Sequence, residues 1–429
     1  MLKKSLKYII PSILTALFGC VYIIIDGFYV GNKIGDDGLA ALNIAWPITG
    51  FLQSIGIGIG LACGILLAIA LSNKDEEKER KILKTTYFLL ICTSLLLMSL
   101  MLFLNPILRM LGATDKTHKY AYDYLFVILC GTIFQVAGQA LIPIIRNYGK
   151  IKAITIVMIA AGLMNIIGDY VFVDLLNLKL VGAALASIIG QSVYAICGIV
   201  ILAKNDKLMI NLPDKDILKR LFINSLAPFI LYMSGNIILV IYNLRCMKYG
   251  QEPAVAAYTV YAYLFAIIGI CASGVGDGVQ PLISQSMALN KQKEEKYLLK
   301  IGYIFANLVS ILLIALISIF NKQIANGFNL SSEGLKLYED GSLYFILGFV
   351  FIGSARMAMS YLYATQRVKM ANILVILEPF ILTPVLLFTL PYINGLTGIW
   401  LGYMISQIVV FIVSVIFVII TRKGSENHV

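Results

Sequence analysis

Residues 181–193 read VGAALASIIGQSV and residues 397–409 read TGIWLGYMISQIV; the two share Gly182/Gly398, Leu185/Leu401, Ile189/Ile405, Gln191/Gln407 and Val193/Val409 at a constant offset of 216. The same offset lays 38–80 on 254–296 without a gap, pairing Ala40/Ala256, Ala41/Ala257, Gly58/Gly274, Gly60/Gly276, Leu66/Leu282 and Glu79/Glu295. An acidic and basic loop closes both copies, NKDEEKERK (73–81) and NKQKEEK (290–296). One match among apolar residues is weak. One offset serving two segments about 140 residues apart marks an internal repeat of roughly half the chain.

Both matched pairs lie in long apolar runs. Ending each run at clusters of charge, Gly or Pro gives twelve: 8–30, 40–72, 84–108, 120–145, 152–174, 180–203, 221–247, 254–288, 297–320, 341–364, 370–391 and 396–421. Each is long enough to cross a bilayer, which takes about 20 residues. Of the 429 residues 59% are apolar and 13% charged, whereas a soluble domain carries about a quarter charged. No interval between runs approaches the ~50 residues of a separate domain. A soluble enzyme, a secreted module and a disordered scaffold are excluded.

The net charge of +11 is explained by where the basic residues fall. Twelve runs put the loops alternately on two sides; one set, with both termini, holds 24 Lys and Arg, the other holds 9, and Arg356 lies inside a run. By the positive-inside rule the richer side is cytoplasmic, so the expected location is the plasma (inner) membrane, multi-pass, with both termini cytoplasmic. A miscounted run would have blurred this split. The charge therefore reports topology, and nucleic acid is not an expected partner. Met1–Val30 has lysines before an apolar run, as a signal peptide does, but the run is too long and has no small-residue cleavage pattern, so it reads as the first span. The seven cysteines show no CxxC or Cys/His spacing, and no cofactor or metal ligand set is expected from them.

Six runs per repeat is an even number, so both copies enter the membrane in the same direction. The expected fold is all-α and integral to the membrane, with twelve transmembrane helices in two parallel six-helix repeats: an amino-terminal lobe 1–203, a cytoplasmic linker 204–220 and a carboxy-terminal lobe 221–429. Parallel repeats are a transporter architecture in which substrate is handled between the halves near mid-membrane, by alternating access. No filter-like segment of a channel is present.

Ionisable residues inside a span cost roughly 2.5–3.5 kcal/mol on insertion scales and so point to function. The candidates are Asp26, Asp169, Asp277, Arg356 and Glu378; Asp123 and Asp174 lie near run ends. At about 1.5 Å per residue, Asp26 and Asp169 reach nearly the same height in the outer half. Asn165 is one turn before Asp169 and shares its face, and Tyr124 and Ser187 lie at a similar depth. Two carboxylates, an amide, a hydroxyl and a phenol at one level fit an oxygen-lined ion site. Two close carboxylates in a dry site cannot both ionise cheaply, so one takes a proton near neutral pH; alternatively Asp26, Asn165 and Asp169 coordinate Na⁺. The competing reading is that both aspartates cap helix ends against headgroups. At the 216 offset Asp26, Asn165 and Asp169 fall on Tyr242, Ile381 and Val385, so the ion site is expected in the first half alone. Arg356 and Glu378 read either as an ion pair between the tenth and eleventh helices or as substrate contacts. Asp277, in GVGDGVQP, reads either as a polar contact at a helix break or as a cavity charge. Trp46 and Tyr258, on repeat-related helices, are candidates for cavity lining.

Three stretches carry a resemblance: IIIDGFYVGNKIGDDGLAALNIAWPI (23–48), NIIGDYVF (165–172) followed by VGAALAS (181–187), and GVGDGVQPLIS (274–284). Together with the two six-helix halves they resemble the multidrug and toxic compound extrusion (MATE) family over essentially the whole chain. The resemblance implies two lobes in a V and efflux of cationic, amphiphilic small molecules driven by inward H⁺ or Na⁺. It assigns Asp26 the cation-site carboxylate of the first helix, Asn165 and Asp169 the pair of the fifth, and Tyr124 the tyrosine of the fourth; Ser187 stands where many relatives have Thr. One subgroup has an acidic residue in the seventh helix, where this chain has only Asn236 and Asn243. Glu378 stands where many relatives have a basic residue.

The expected function is thus an ion-coupled antiporter exporting organic cations, working as a monomer in contact with membrane lipid. The alternative is a flippase for lipid-linked oligosaccharide or another amphiphilic lipid precursor. That activity should need a basic cavity for pyrophosphate, and Arg356 is the one basic residue clearly inside a run. A membrane enzyme is not expected: the histidines are His118 in a loop and His428 at the tail, and no nucleophile motif or phosphate-binding Gly loop appears.

Overall fold

The computed structural model describes residues 2–204, 212–289 and 291–426, and all regular structure among them is helical. The helices are α1 (Leu2–Ile34), α2 (Asp36–Ser72), α3 (Glu76–Met98), α4 (Leu104–Met110), α5 (Asp115–Cys130), α6 (Thr132–Asn147), α7 (Ile151–Gly168), α8 (Lys179–Ala203), α9 (Lys215–Ala288), α10 (Gln292–Ile319), α11 (Asn321–Gly327), α12 (Ser332–Phe349), α13 (Ile352–Ala364), α14 (Val368–Leu377) and α15 (Thr383–Glu426). π-helical turns follow α7 at Asp169–Leu175 and α14 at Glu378–Leu382.

These elements make the twelve expected passes. α9 holds two, separated at Gly250 and at Gln251 with φ +52°, and α15 breaks at Gly395 with φ +54°. α5 and α6 form one pass bent by 61°. Helix starts follow local chemistry: Thr114 and Thr117 form a capping box at α5, and the Asp75 and Ser331 side chains accept from Lys78 N and Gly334 N. Beside that box Arg109 donates to Asp115 Oδ1 at 2.6 Å, and its guanidinium holds the Asp115 carboxyl below the usual carboxylate range. Of the linker expected at 204–220, residues 205–211 lie outside the described residues, as does His428.

Packing forms two compact units, Ile25–Val240 and Met1–Ile24 with Ile241–Val429. The repeat divides the chain by order near 204–220. Packing divides it inside α1 and inside the first pass of α9, at positions that are themselves 216 residues apart. Within Ile25–Val240, α2 lies so close to α6 that a Cβ on Gly56 would meet Val136 O at 2.5 Å and one on Gly60 would meet Ala140 O at 2.4 Å; small residues are what allow membrane helices this approach. Gly58 faces Ser225 O and Phe229 on α9, while in the other unit Gly274 faces Ser12 and Ile13 on α1. Gly58/Gly274 and Ile13/Phe229 are both pairs of the 216 repeat, so the duplication extends to individual contacts. The second unit adds an aromatic core in which Tyr261 stacks on Phe345 and Tyr338 with centroids 3.8 and 4.6 Å away.

Candidate ion site

All five residues expected at the ion site fall within Ile25–Val240. Asp26 is on α1, Tyr124 on α5, Asn165 near the end of α7 and Ser187 on α8; Asp169 opens the π turn. Asp26 is 5% exposed, Asn165 3% and Asp169 0%, Tyr124 is buried on a helix packed against α8, and Ser187 is half-buried. The aspartates are therefore not end caps bathed in solvent.

Local packing explains the arrangement. A Cβ on Gly190 of α8 would lie 3.0 Å from Ala161 O and 3.2 Å from Asn165 Cβ, and one on Gly168 would lie 2.8 Å from Ala186 Cβ. At that separation Asn165 reaches across and its Nδ2 donates to Ser187 Oγ at 3.5 Å. Just beyond, the backbone widens: Leu176 N donates to Val171 O, five residues back, at 2.9 Å. π-helical turns of this kind recur at functional sites, and Asp169 is the first residue of this one.

Asp26 and Asp169 lie within electrostatic range of each other. Asp26 Oδ1, Asn165 Oδ1 and both carboxylate oxygens of Asp169 are buried with no hydrogen-bond partner among the described residues. Buried polar groups are nearly always satisfied, and leaving one unmet costs about 1–3 kcal/mol, more for a charge. A site with four such oxygens fits a proton or a hard monovalent cation.

The search for ionisable residues missed an amide network on neighbouring helices. Gln139 Nε2 donates to Gln191 Oε1 at 3.4 Å, one turn from Ser187 on α8, and Gln135 Nε2 donates to Thr49 O at 3.2 Å. Pro47 has no N–H to give to the carbonyl of Asn43, a fully buried residue of the same helix; Thr49 Oγ1 bonds Trp46 O. The available signal was amides one turn apart inside apolar runs.

In the other unit Glu378 opens the second π turn and is half-buried. Its Oε1 accepts from Gln407 Nε2 at 2.6 Å and Ser406 Oγ at 3.4 Å. The ion pair considered with Arg356 is not formed. Arg356 acts on Glu378 only at longer range, and its guanidinium carbon lies 5.9 Å from the Phe265 ring centroid. Two cavity candidates are placed differently from each other: Trp46 is half-buried, whereas Tyr258 is buried and stacked on Tyr242 with centroids 4.5 Å apart. Asp277 is exposed on α9.

The family model MatE matches residues 11–171 and 227–389. The chain is 25% identical over 420 residues to the multidrug export protein MepA of Staphylococcus haemolyticus (strain JCSC1435), covering 95% of this chain and 91% of the relative. It is similar in fold to an inward-facing structure of a multidrug resistance MATE family transporter of the MOP superfamily, with TM-score 0.86, 19% identity and 95% of both chains covered. A second fold neighbour, the MATE multidrug transporter DinF-BH, gives TM-score 0.76 at 23% identity over 97% of this chain and 94% of that one.

Proposed function

Because the chain belongs to the multidrug and toxic compound extrusion family, whose model matches both halves, we propose that it is a secondary active antiporter exporting cationic, amphiphilic small molecules in exchange for inward H⁺ or Na⁺. The observation that carries the coupling is the set of buried, unpartnered oxygens on Asp26, Asn165 and Asp169. Two carboxylates in a dry site cannot both stay charged without a neutralising ion. Asp26 and Asp169 hold that ion, Asn165 and Ser187 complete its oxygen shell, and Tyr124 closes the cluster. The MepA relative is named for multidrug export, which supports drugs as the exported class.

Alternating access is the mechanism that fits two parallel repeats. α1 passes from one packing unit to the other at Ile24/Ile25, next to Asp26. Loading and emptying the carboxylate pair therefore changes the charge beside the point where the chain changes partners. On this reading the protein works as a monomer in the plasma membrane; both termini are cytoplasmic, as the distribution of Lys and Arg predicts.

Dye efflux in inverted membrane vesicles with an imposed pH gradient or an imposed Na⁺ gradient tests this reading. One gradient drives ethidium movement in the wild type, and Asp26→Asn abolishes it at unchanged expression. Movement that ignores both gradients overturns the antiporter.

A further inference from the structure

Arg245 lies just before the break that ends the first pass of α9, on the side of the chain poorer in basic residues. It is 5% exposed. Its Nη2 donates to Tyr249 OH at 3.4 Å, while its Nε has no hydrogen-bond partner. Aromatic rings surround it: the guanidinium carbon is 4.8 Å from the Phe388 centroid, 5.1 Å from Tyr249 and 5.5 Å from Tyr392. Lys248 is exposed beside the same tyrosines, its Nζ 5.7 Å from each ring. Among the described residues no carboxylate pairs with either cation.

Two positive charges, one of them buried, therefore share a corner, and neither is in ion-pair contact with a carboxylate among the described residues. Ring faces attract a guanidinium but do not satisfy its in-plane N–H groups; here Nη2 reaches the Tyr249 hydroxyl and Nε reaches nothing. A planar fork of that kind matches phosphate oxygens two at a time. The neighbouring surface says where such a phosphate comes from. Ile381, Val385, Phe388 and Tyr392 are all exposed, and their spacing of four, three and four residues places them on one face of the eleventh pass. In a membrane-spanning chain this stripe lies against acyl chains, and it ends at Arg245 and Lys248, where Tyr249 and Tyr392 sit like the tyrosines of an interfacial belt.

We propose that Arg245 and Lys248, with Tyr249, Phe388 and Tyr392, form a binding site for the phosphate headgroup of an anionic phospholipid, whose acyl chain runs along the Ile381–Tyr392 stripe. The site shares no residue with the Asp26/Asp169 cluster, and the proposal does not depend on the transport reading.

The test uses the full chain, purified and delipidated in mild detergent, then titrated with phosphatidylglycerol, phosphatidylcholine or inorganic phosphate. Bound lipid is counted by native mass spectrometry and the unfolding midpoint is followed in parallel. The wild type retains one phosphatidylglycerol per chain and its midpoint rises. Arg245→Gln weakens retention about tenfold and the exposed Lys248→Gln about threefold; the second variant keeps the test valid if the first fails to fold. Equal retention of phosphatidylcholine overturns the requirement for negative charge. The same rise with inorganic phosphate alone overturns the lipid as occupant. Wild-type retention by Lys248→Gln, or by a folded Arg245→Gln, overturns the site.

Discussion

Asp169 and Glu378 invite comparison, although they are not repeat partners: at the 216 offset Asp169 falls on Val385. Each is the first residue of a π-helical turn, in the fifth and the eleventh pass respectively, and each is associated with the pass that follows. Their surroundings differ. Asp169 has two buried oxygens without a partner, near Asp26 and beside Asn165, which has another. Glu378 accepts hydrogen bonds from Gln407 and Ser406. Gln191 and Gln407 are repeat partners, yet the first pairs with Gln139 and only the second meets a carboxylate. The two π turns lie seven residues out of repeat register, and their first carboxylates differ in what they meet: one is satisfied by its own protein, and the other is left unsatisfied, with something to gain from an incoming ion.

Substitutions that remove the carboxylates put most strain on this contrast. Asp169→Asn or Asp26→Asn abolishes gradient-driven dye efflux, a loss of at least about a hundredfold in initial rate, because one transported ion loses the charge it neutralises. Glu378→Gln keeps an acceptor for Gln407 and leaves efflux within about threefold of wild type. Glu378→Ala strands the Gln407 amide and lowers the unfolding free energy by about 1–3 kcal/mol, read as a lower midpoint in detergent. If Glu378→Gln were the variant that lost coupling, the contrast would be reversed.

Smaller changes sharpen the frame around the site. Gly60→Ala drives a methyl into the carbonyl of Ala140 and destabilises by about 1–3 kcal/mol, measurable as lower yield and midpoint without a change in ion selectivity. Ser187→Ala removes the hydroxyl bonded by Asn165 and weakens apparent ion affinity a few-fold. Arg109→Gln, at an exposed pair outside both carboxylate clusters, has the smallest effect. Asp115 is held below its ordinary range by Arg109, so the pair adds stability above the unfolded carboxylate range and loses it as the pH falls through the lowered folded value. The midpoint difference between wild type and variant therefore shrinks on acidification below about pH 4, and transport is unchanged.

The twelve passes and the repeat were legible because apolar length, charge placement and a constant offset are properties of one dimension. The breaks at Gln251 and Gly395 coincide with the gaps between runs 221–247 and 254–288 and between 370–391 and 396–421. The π turns were not legible, since one more residue per turn leaves the apolar character of DYVFVDL and EPFIL unchanged. Nor was the exchange of α1 and α9 between packing units, because apolar length does not record which neighbour a helix half meets. Asp26, Asn165 and Asp169 stood out by charge and spacing. Gln135, Gln139 and Gln191 did not, because a search for ionisable groups passes over amides. Glu378 was visible, but its partners were not: charge points to Arg356, whereas the close donors are an amide and a hydroxyl on the twelfth pass.

The central claim is that the coupling ion is held by the unsatisfied carboxylates of the first half and not by the satisfied one of the second. It is tested most directly by measuring coupled flux in proteoliposomes, ion and dye together, for Asp169→Asn and Glu378→Gln side by side. The account predicts no dye-coupled ion movement in the first variant and near wild-type coupling in the second. Intact coupling in Asp169→Asn, or coupling lost only in Glu378→Gln, would contradict it.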